Sequence, residues 1–234
     1  MSEILKAENL FVTYHDGTEA LRGVSFSVQP QERVGIIGPN GAGKTSLMLA
    51  VMRGVDFRGR IVVDGVELTG RTADDVRGRC GMTFQDPDDQ LFSPTLLDDV
   101  AFGPLNQGCE PHAAEAKSRQ TIEAVGLEGL EGRCAHHLSG GQKRNATLAT
   151  IFSMQVKLLL LDEPGANLDF RSRRRLIDLV RRRDEAVLLA THDLDMVGEL
   201  CGRVMILDSG SIVADGAAGE ILGDSGLLSA HGLA

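Results

Sequence analysis

The segment Gly38-Pro39-Asn40-Gly41-Ala42-Gly43-Lys44-Thr45 carries the residue types that bind phosphate. It fits the pattern G-x-x-x-x-G-K-[ST], in which glycine-permitted turns aim backbone N–H groups at phosphate oxygens and the following helix adds its positive end. In such a loop the lysine ammonium neutralises the β- and γ-phosphates, and the threonine hydroxyl binds Mg²⁺. We therefore expect Lys44 and Thr45 to serve a nucleoside triphosphate.

A second segment, Leu138-Ser139-Gly140-Gly141-Gln142, also suits phosphate, because it combines a hydroxyl, two glycines and an amide. Its hydroxyl and backbone N–H groups can donate to phosphate oxygens as those of the first loop do. The chain therefore has two phosphate-facing segments. A kinase for a small metabolite would need only the first of them, so the pattern argues against that class of enzyme.

Two neighbouring carboxylates follow a run of four leucines, Leu158 to Leu161. Side chains alternate in direction along a strand, so Asp162 and Glu163 point different ways. We assign Asp162 to the Mg²⁺ shell and Glu163 to the attacking water, which it polarises as general base. A solvated turn is the alternative for an acidic pair, but the buried strand before it favours chemistry.

Three further side chains are candidates for the same site. His192 follows the apolar run Val187 to Ala190, from which an imidazole can reach the γ-phosphate. Gln85 follows a short run that ends at Phe84, and its amide can reach Mg²⁺ or the water. Tyr14, the single tyrosine of the chain, offers a ring face to adenine. A structural role in a strand, or at its end, is the alternative for each.

These residues need strands that end beside them and a helix that begins there. Val34 to Ile37 is a short apolar run before the first loop, and Lys44 to Arg53 has the composition of the helix behind it. Near-continuous apolar runs at Leu158 to Leu161 and Ala186 to Ala190 predict buried parallel strands. A helix-favouring region from Asp86 to about Thr150 predicts an inserted helical lobe.

Shorter segments complete the predicted secondary structure. A helix is expected after the second phosphate-facing segment, from Gly141 to Met154. Apolar or β-branched runs between turn residues predict further strands at Asn9 to Tyr14, Val24 to Val28, Gly59 to Asp64, Val204 to Leu207 and Ser211 to Ala214. The order of strands and helices predicts an α/β fold.

Composition and charge exclude several classes of protein. The chain has 24 basic and 33 acidic residues and a formal net charge of −9, which disfavours a general attraction to nucleic acid. Its four cysteines form no C-x-x-C pair, which predicts reduced thiols in a cytoplasmic protein. The start does not resemble a secretion signal, and no stretch has the roughly 20 apolar residues that cross a bilayer. If the chain works at a membrane, other chains must supply the spans.

Together these motifs resemble those of the nucleotide-binding subunits of ATP-binding-cassette (ABC) transporters, from about Ile4 to Gly216. The resemblance identifies the first loop as Walker A, Leu138 to Gln142 as the signature, Leu158 to Asp162 as Walker B and Ala166 to Asp169 as the D-loop. It implies catalytic roles for Glu163, for His192 as the switch histidine and for Gln85 as the Q-loop residue. It implies that ATP is bound by Tyr14, Gly38, Pro39, Asn40, Gly41, Ala42, Gly43, Lys44, Thr45 and Ser46.

The family also implies a fold and an assembly. The fold would be a P-loop NTPase (RecA-like) core with an N-terminal antiparallel β subdomain, in residues 1–85 and 151–216, an inserted α-helical subdomain, 86–150, and a short tail, 217–234. In a head-to-tail dimer, Walker A of one subunit and the signature of the other would enclose ATP and Mg²⁺. The residues that bind ATP across the dimer would be Ser139, Gly140, Gly141 and Gln142, and those that serve the metal would be Thr45, Gln85 and Asp162.

A narrower resemblance lies in the segment from Phe84 to Phe92, with the letters FQDPDDQLF, and in Asp99 to Asn106. These are similar to ATPases of energy-coupling-factor importers, particularly those for cobalt and nickel. The resemblance implies a homodimer, or a dimer with a paralogous ATPase, at the cytoplasmic face of the cell membrane. Its partners would be an integral membrane scaffold and substrate-binding membrane subunits. The PDDQLF segment is a candidate docking element for the scaffold, and packing within the helical lobe is the alternative.

The predicted function is ATP hydrolysis that drives import of cobalt or nickel ions. A vitamin such as biotin is the alternative cargo, and a soluble ABC ATPase outside transport is the alternative class. Two positions depart from the family pattern: Asn145 stands where a basic residue is usual, and Gly165 stands where threonine or serine is usual. Both departures predict weaker signature or D-loop contacts and slower turnover. The arginine-rich segment 171–183 is interpreted as a solvated helix face.

Overall fold

The computed structural model describes residues 3–233, which form two units. The first unit comprises residues up to 82, 157–163 and 184 onwards, and the second comprises 83–156 and 164–183. Within the described residues the strands are β1 (Leu5–Thr13), β2 (Glu19–Val28), β3 (Arg33–Ile37), β4 (Arg58–Val63), β5 (Val66–Glu67), β6 (Cys80–Thr83), β7 (Leu158–Asp162), β8 (Ala186–Ala190), β9 (Arg203–Asp208) and β10 (Ser211–Ala217).

The helices follow the same chain order. They are α1 (Lys44–Val51), α2 (Ala73–Arg77), α3 (Leu96–Asn106), α4 (Pro111–Ala124), α5 (Gly140–Phe152), α6 (Phe170–Arg181), α7 (Leu194–Leu200), α8 (Ala218–Gly223) and α9 (Ser225–Ala230). Short 3₁₀ turns lie at Pro87–Asp89 and Ala135–His137. Among residues 3–233, no helix combines the length and the apolarity needed to cross a bilayer.

The strands form two sheets. The smaller sheet has the order β2-β1-β4-β5, and its neighbouring strands are antiparallel. The larger sheet has the order β10-β9-β3-β8-β7-β6. In it β3 runs parallel to both β8 and β9, β7 runs parallel to β8, and β10 closes the edge as an antiparallel hairpin with β9. The strands that the sequence predicted are all present.

The centre of the larger sheet is buried along its whole length. Every residue of β7 and β8 is buried, and the leucines of β7 have no exposed surface. This matches their continuous apolar sequence, because strands of a parallel sheet are covered on both faces. The buried strands fix where their polar ends lie, since Asp162 ends β7 and Thr191 follows β8.

The second unit is mainly helical. It contains the segment 86–150, which the sequence assigned to the helical lobe, together with 83–85, 151–156 and 164–183. Contacts within the unit account for the grouping: the Arg183 guanidinium lies 4.6 Å from the centre of the Phe152 ring, and Gly141 lies directly against Ser172. The end of α5 and the segment that follows α6 are thereby held together.

Asn145 has a structural role that its departure from the family pattern did not suggest. It is buried in α5, and its side-chain amide donates a hydrogen bond of 3.0 Å to the carbonyl of Val125, the residue that ends α4. The carbonyls at the end of a helix lack partners within the helix. Asn145 therefore satisfies one of them and joins two helices of the second unit.

We predict that Asn145→Ala lowers the free energy of unfolding by about 1–3 kcal/mol, because it leaves a buried carbonyl without its donor. Urea titration followed by circular dichroism measures the change. Asn106→Ala, at the exposed end of α3, is the matched control and should lower the free energy of unfolding much less. Equal stability of the Asn145→Ala variant and the unaltered chain would show that the bond contributes nothing.

Candidate functional site

The phosphate loop connects β3 to α1, and its backbone is shaped to receive an anion. Gly43, the residue before α1, has φ 107°, and a Cβ there would collide with the carbonyl of Ala20, so only glycine fits. No side chain caps α1, and its first turn has no acidic residue. The free N–H groups and the positive end of the helix are therefore left for a ligand.

Lys44 is buried inside this loop. Its ammonium donates hydrogen bonds of 2.7 Å to the carbonyl of Gly38 and 3.1 Å to that of Pro39. Burial lowers the pKa of Lys44, and the nearby negative charges of Glu163 and Asp162 oppose that shift. The loop lysine and both predicted carboxylates thus lie close enough to interact, as the sequence indicated.

Strand register explains why these groups meet. Ile36 of β3 pairs with Ala190 of β8, and Ala190 pairs in turn with Asp162 of β7. The three parallel strands therefore end at the same edge of the sheet, where ligands of open α/β sheets bind. The phosphate loop continues from β3, the Thr191-His192 pair from β8 and Glu163 from β7, so all three begin at this edge.

Glu163 is held firmly at this edge. It is buried, and its backbone has φ 45°, which is a strained conformation for a residue other than glycine. Its backbone N–H donates to the carbonyl of Ala190 at 2.8 Å. Its Oε2 accepts a hydrogen bond of 3.0 Å from the Thr191 hydroxyl and lies 2.9 Å from Nδ1 of His192. The His192 side chain is 69% exposed, so the imidazole joins a buried carboxylate to the open face of the site.

Tyr14 lies beside the same loop and is tied to it. Its hydroxyl shares a hydrogen bond of 2.9 Å with the hydroxyl of Ser46, a buried residue in the first turn of α1. The ring remains 38% exposed. A surface cavity of about 360 Å³ opens next to it, lined by Val12, Thr13, Tyr14, His15, Arg53, Gly54, Val55 and Asp56. The ring of Tyr14, whose hydroxyl is held by Ser46, thus lies beside a cavity near the phosphate loop.

The donor atoms available at this edge suit magnesium. Thr45 and Asp162 offer oxygen atoms, and Mg²⁺ is typically bound by one or two such groups together with substrate phosphates. The described residues contain no cluster of three or more histidine, cysteine, aspartate or glutamate side chains arranged for a metal ion. The residues present therefore fit an ion that arrives with a nucleotide.

The signature segment lies in the second unit, at the start of α5. Ser139 caps this helix: its hydroxyl accepts from the N–H of Gln142 at 3.4 Å, and Gln142 Oε1 accepts from the N–H of Ser139 at 2.9 Å. Ser139 and Gly140 are exposed. The first turn of α5, like that of α1, contains no acidic residue. The side chain of Gln142 is thus used for capping, together with that of Ser139.

The Q-loop residue lies in the second unit as well, next to α5. The guanidinium of Arg144, a buried residue, donates to the carbonyls of Phe84 at 2.9 Å and Gln85 at 2.8 Å. Lys143 forms an ion pair of 2.6 Å with Asp88. A cavity of about 470 Å³ is lined by residues of the Q-loop, signature helix and D-loop, namely Gln85, Asp86, Pro87, Asp89, Gly140, Lys143, Arg144, Ala166, Asn167 and Leu168.

The sequence predicted most of these residues but missed three contacts that position them. Ser46 holds the ring of Tyr14, Thr191 holds Glu163, and Arg144 holds the backbone at Gln85. Thr191 directly precedes His192, so its position in the sequence could have indicated its contact with Glu163. Nothing in the spacing indicates the other two contacts, because each joins segments more than 30 residues apart.

Comparison with known proteins places this arrangement in a family. The sequence model of the family described as ABC transporter matches residues 21–166. A protein of Streptomyces avermitilis named as an ABC transporter ATP-binding protein is 45% identical over 232 residues, which are 98% of this chain and 88% of that protein. The energy-coupling factor transporter ATP-binding protein EcfA of Methanothermobacter thermautotrophicus is 38% identical, over 96% of this chain and 74% of its own length.

A solved structure confirms the fold. CbiO1 from Clostridium perfringens, whose structure is described as part of the ABC transporter complex cbiONQ, superimposes with a TM-score of 0.84 at 30% identity. The match covers 98% of this chain and 94% of that one. The predicted α/β fold and the resemblance drawn from the motifs are therefore both confirmed.

We predict that Ser46→Ala weakens binding of a non-hydrolysable ATP analogue about three- to tenfold, because the Tyr14 ring loses the hydrogen bond that fixes it. Tyr14→Phe removes the same bond from the other side and should weaken binding equally, with little further loss in the double variant. Isothermal titration calorimetry measures the affinities, with the exposed Ser229→Ala as control. If Ser46→Ala lowers the affinity for the analogue and Tyr14→Phe does not, the hydrogen bond is excluded as the cause of the lower affinity.

Proposed function

Because this chain belongs to the ABC transporter family and is its ATP-binding, ATP-hydrolysing component, we propose that it energises an importer of the energy-coupling-factor class for cobalt or nickel ions. The observation that supports the catalytic part is the meeting of Lys44, Asp162 and Glu163 at one sheet edge. The observation that supports the transport part is the similarity to EcfA and CbiO1 along nearly the whole chain.

The proposed reaction is in-line attack of water on the γ-phosphate of ATP, which breaks the bond between the γ-phosphorus and the bridging oxygen and releases ADP and phosphate. The phosphate loop and the ammonium of Lys44 bind the β- and γ-phosphates, exchanging the loop carbonyls that Lys44 now contacts for phosphate oxygens. Thr45 and Asp162 would hold Mg²⁺, which supplies charge neutralisation to the phosphates. Tyr14 stacks on adenine beside its cavity.

Glu163 is the proposed general base. Its carboxylate accepts from the Thr191 hydroxyl, so one direction of the carboxyl group is fixed. The hydrogen bond from its backbone N–H to the carbonyl of Ala190 holds the residue at the strand end despite the strained φ of 45°. His192 contacts the same oxygen, and its exposed ring is placed to reach the γ-phosphate. Gln85 would complete the set by contacting the metal or the water.

The signature supports a composite site made by two chains. Ser139 and Gly140 are exposed at the start of a capped helix, and an exposed helix start of this kind binds an anion from another molecule. In the proposed head-to-tail dimer, Ser139, Gly140 and Gly141 contact the γ-phosphate held by the partner. The dimer is formed by two copies of this chain or by this chain and a paralogue.

An apolar patch in the second unit is the proposed docking surface for the membrane scaffold. Phe92 and Phe102 are 67% and 49% exposed and pack edge to face with ring centres 5.1 Å apart, and Leu105 is 44% exposed beside them on α3. Buried Asp99 fixes the loop, because its Oδ1 accepts from the N–H groups of Phe92 and Ser93 at 3.1 and 2.9 Å. An apolar helix of a membrane subunit fits such a patch.

The proposed cargo and location rest on the resemblance to one class of importer. The segment from Phe84 to Phe92 resembles ATPases of cobalt and nickel uptake, and CbiO1 is described as part of a transporter complex. Binding to membrane subunits would hold the chain at the cytoplasmic face of the membrane. A vitamin such as biotin is the alternative cargo for the same ATPase.

We predict that Glu163→Gln lowers kcat for ATP hydrolysis at least about 100-fold while ATP affinity stays within about twofold, because the water loses its base and the phosphate contacts remain. With ATP present, this variant should accumulate as a dimer in size-exclusion chromatography with light scattering. Adding Ser139→Ala to the same chain should reduce the dimer, since the signature hydroxyl is lost from the composite site. Normal turnover of Glu163→Gln would refute the assignment.

Replacing Phe92 and Phe102 together by serine should abolish copurification of membrane subunits with the tagged chain, while ATP affinity is unchanged. The subunits are identified by mass spectrometry after detergent extraction of native membranes. Phe11→Ser, at an exposed phenylalanine of β1, is the matched control. A metal-binding membrane subunit among the copurified proteins supports cobalt or nickel, and a vitamin-binding one supports the alternative cargo. Recovery of the unaltered chain alone from the soluble fraction would contradict the transport proposal.

A further inference from the structure

The turn between β9 and β10 lies directly behind the phosphate loop. The N–H of Gly210, in this turn, donates to the carbonyl of Ala42 at 3.1 Å. The carbonyl of Gly210 accepts in turn from the N–H of Arg22 at 2.8 Å. Ala42 is buried in the middle of the phosphate loop, so this hydrogen bond joins the turn directly to the loop.

The end of β9 makes a second close contact with the same loop. Gly38 packs so tightly against the carbonyl of Leu207 that a Cβ atom at Gly38 would overlap it. The loop is therefore supported at its first residue by the strand and in its middle by the turn. A shift of residues 207–210 would move the backbone that presents N–H groups to phosphate.

The chain returns to this turn at its C-terminal end. His231, which follows α9, places Nδ1 2.7 Å from Oδ2 of Asp208, and the Ser209 hydroxyl donates to Oδ1 of Asp208 at 3.0 Å. The hydrogen bond from His231 lowers the pKa of Asp208, with a smaller contribution from Ser209. Asp208 is thus held between the C-terminal segment and its own turn.

The C-terminal segment is itself anchored. Asp224 caps α9 by accepting from the N–H of Leu227 at 2.9 Å, and Leu228 is buried. The N–H of Ala218 donates to the carbonyl of Gly202, which places α8 next to the start of β9. His231 consequently reaches Asp208 from an ordered helix.

We propose that His231 is a positioning residue for ATP binding, acting through Asp208 and the 208–210 turn on the phosphate loop. The C-terminal segment, 225–233, is then part of the nucleotide site although it does not touch the nucleotide. The proposal rests on ATP binding alone and is independent of cargo, docking surface and dimer. Because coupling between two sites is reciprocal, ATP must also tighten the docking of this segment.

The first test measures affinity in the full chain with a non-hydrolysable ATP analogue and Mg²⁺. His231→Ala should raise the Kd about fivefold, within the range usual for coupled sites. His231→Gln keeps a side-chain N–H that can reach Asp208 and should restore the Kd to within about twofold of the unaltered chain. Ser229→Ala, exposed on the same helix, is the control and should leave the Kd unchanged.

Steady-state kinetics separates positioning from a general structural role. His231→Ala should raise the KM for ATP with kcat unchanged, because the loop is misplaced but the groups that act on water are not. A variant that merely unfolds in part would lose kcat in proportion to its inactive fraction. A lower melting temperature with an unchanged Kd and KM would overturn the proposal.

Hydrogen exchange measures the reciprocal effect. The ATP analogue should slow exchange of the amides in residues 225–233 of the unaltered chain about fivefold, and this slowing should be absent in His231→Ala. Amides of α4, which carries none of the residues assigned to ATP, serve as the internal reference. Equal slowing in the unaltered chain and His231→Ala, or no slowing in either, would show that the segment is not linked to the nucleotide.

Discussion

The chemistry of this protein depends on the register of three parallel strands. Ile36 pairs with Ala190, and Ala190 pairs with Asp162, so β3, β8 and β7 end at the same edge of the sheet. The polar residues that follow these strands therefore lie close together, although they are far apart in the sequence. A shift of one residue in any strand would turn its side chains to the opposite face. The continuous apolar sequence of β7 and β8 keeps both strands buried, and this burial stabilises the register.

The same edge of the sheet holds three charged side chains that are buried from solvent. Lys44, Asp162 and Glu163 are all buried, and the cost of burying the ammonium appears as a lowered pKa of Lys44 that the two carboxylates counteract. Buried charges are tolerated only when they are paired or hydrogen-bonded. The loop carbonyls supply such partners to Lys44, and the Thr191 hydroxyl and the His192 imidazole supply them to Glu163. The site is therefore built from groups that already constrain one another before a nucleotide binds.

Much of this arrangement could be predicted from the sequence, and the remainder has a physical reason for being hidden. The strand before the phosphate loop, the helix behind it and the leucine strand that ends at Asp162 follow from composition and periodicity, which are local properties. The partners of Ser46, Arg144 and His231 depend on side chains that fold together from distant segments. The role of Asn145 was missed for the same reason, because its partner is a backbone carbonyl of another helix. The division of the chain into domains remains a prediction.

The described helices differ in whether a carboxylate lies at their start. Within residues 3–233, seven helices have an acidic residue at the N-cap or in the first turn: Asp74 in α2, Asp98 in α3, Glu110 in α4, Asp169 in α6, Asp193 in α7, Glu220 in α8 and Asp224 in α9. Such residues satisfy the positive end of a helix internally. Of the described helices, only α1 and α5 lack them, and these begin at the phosphate loop and the signature. In a chain with a net charge of −9, the phosphate loop and the signature are therefore the two described α-helix starts at which no carboxylate of the N-cap or first turn opposes the approach of an anion.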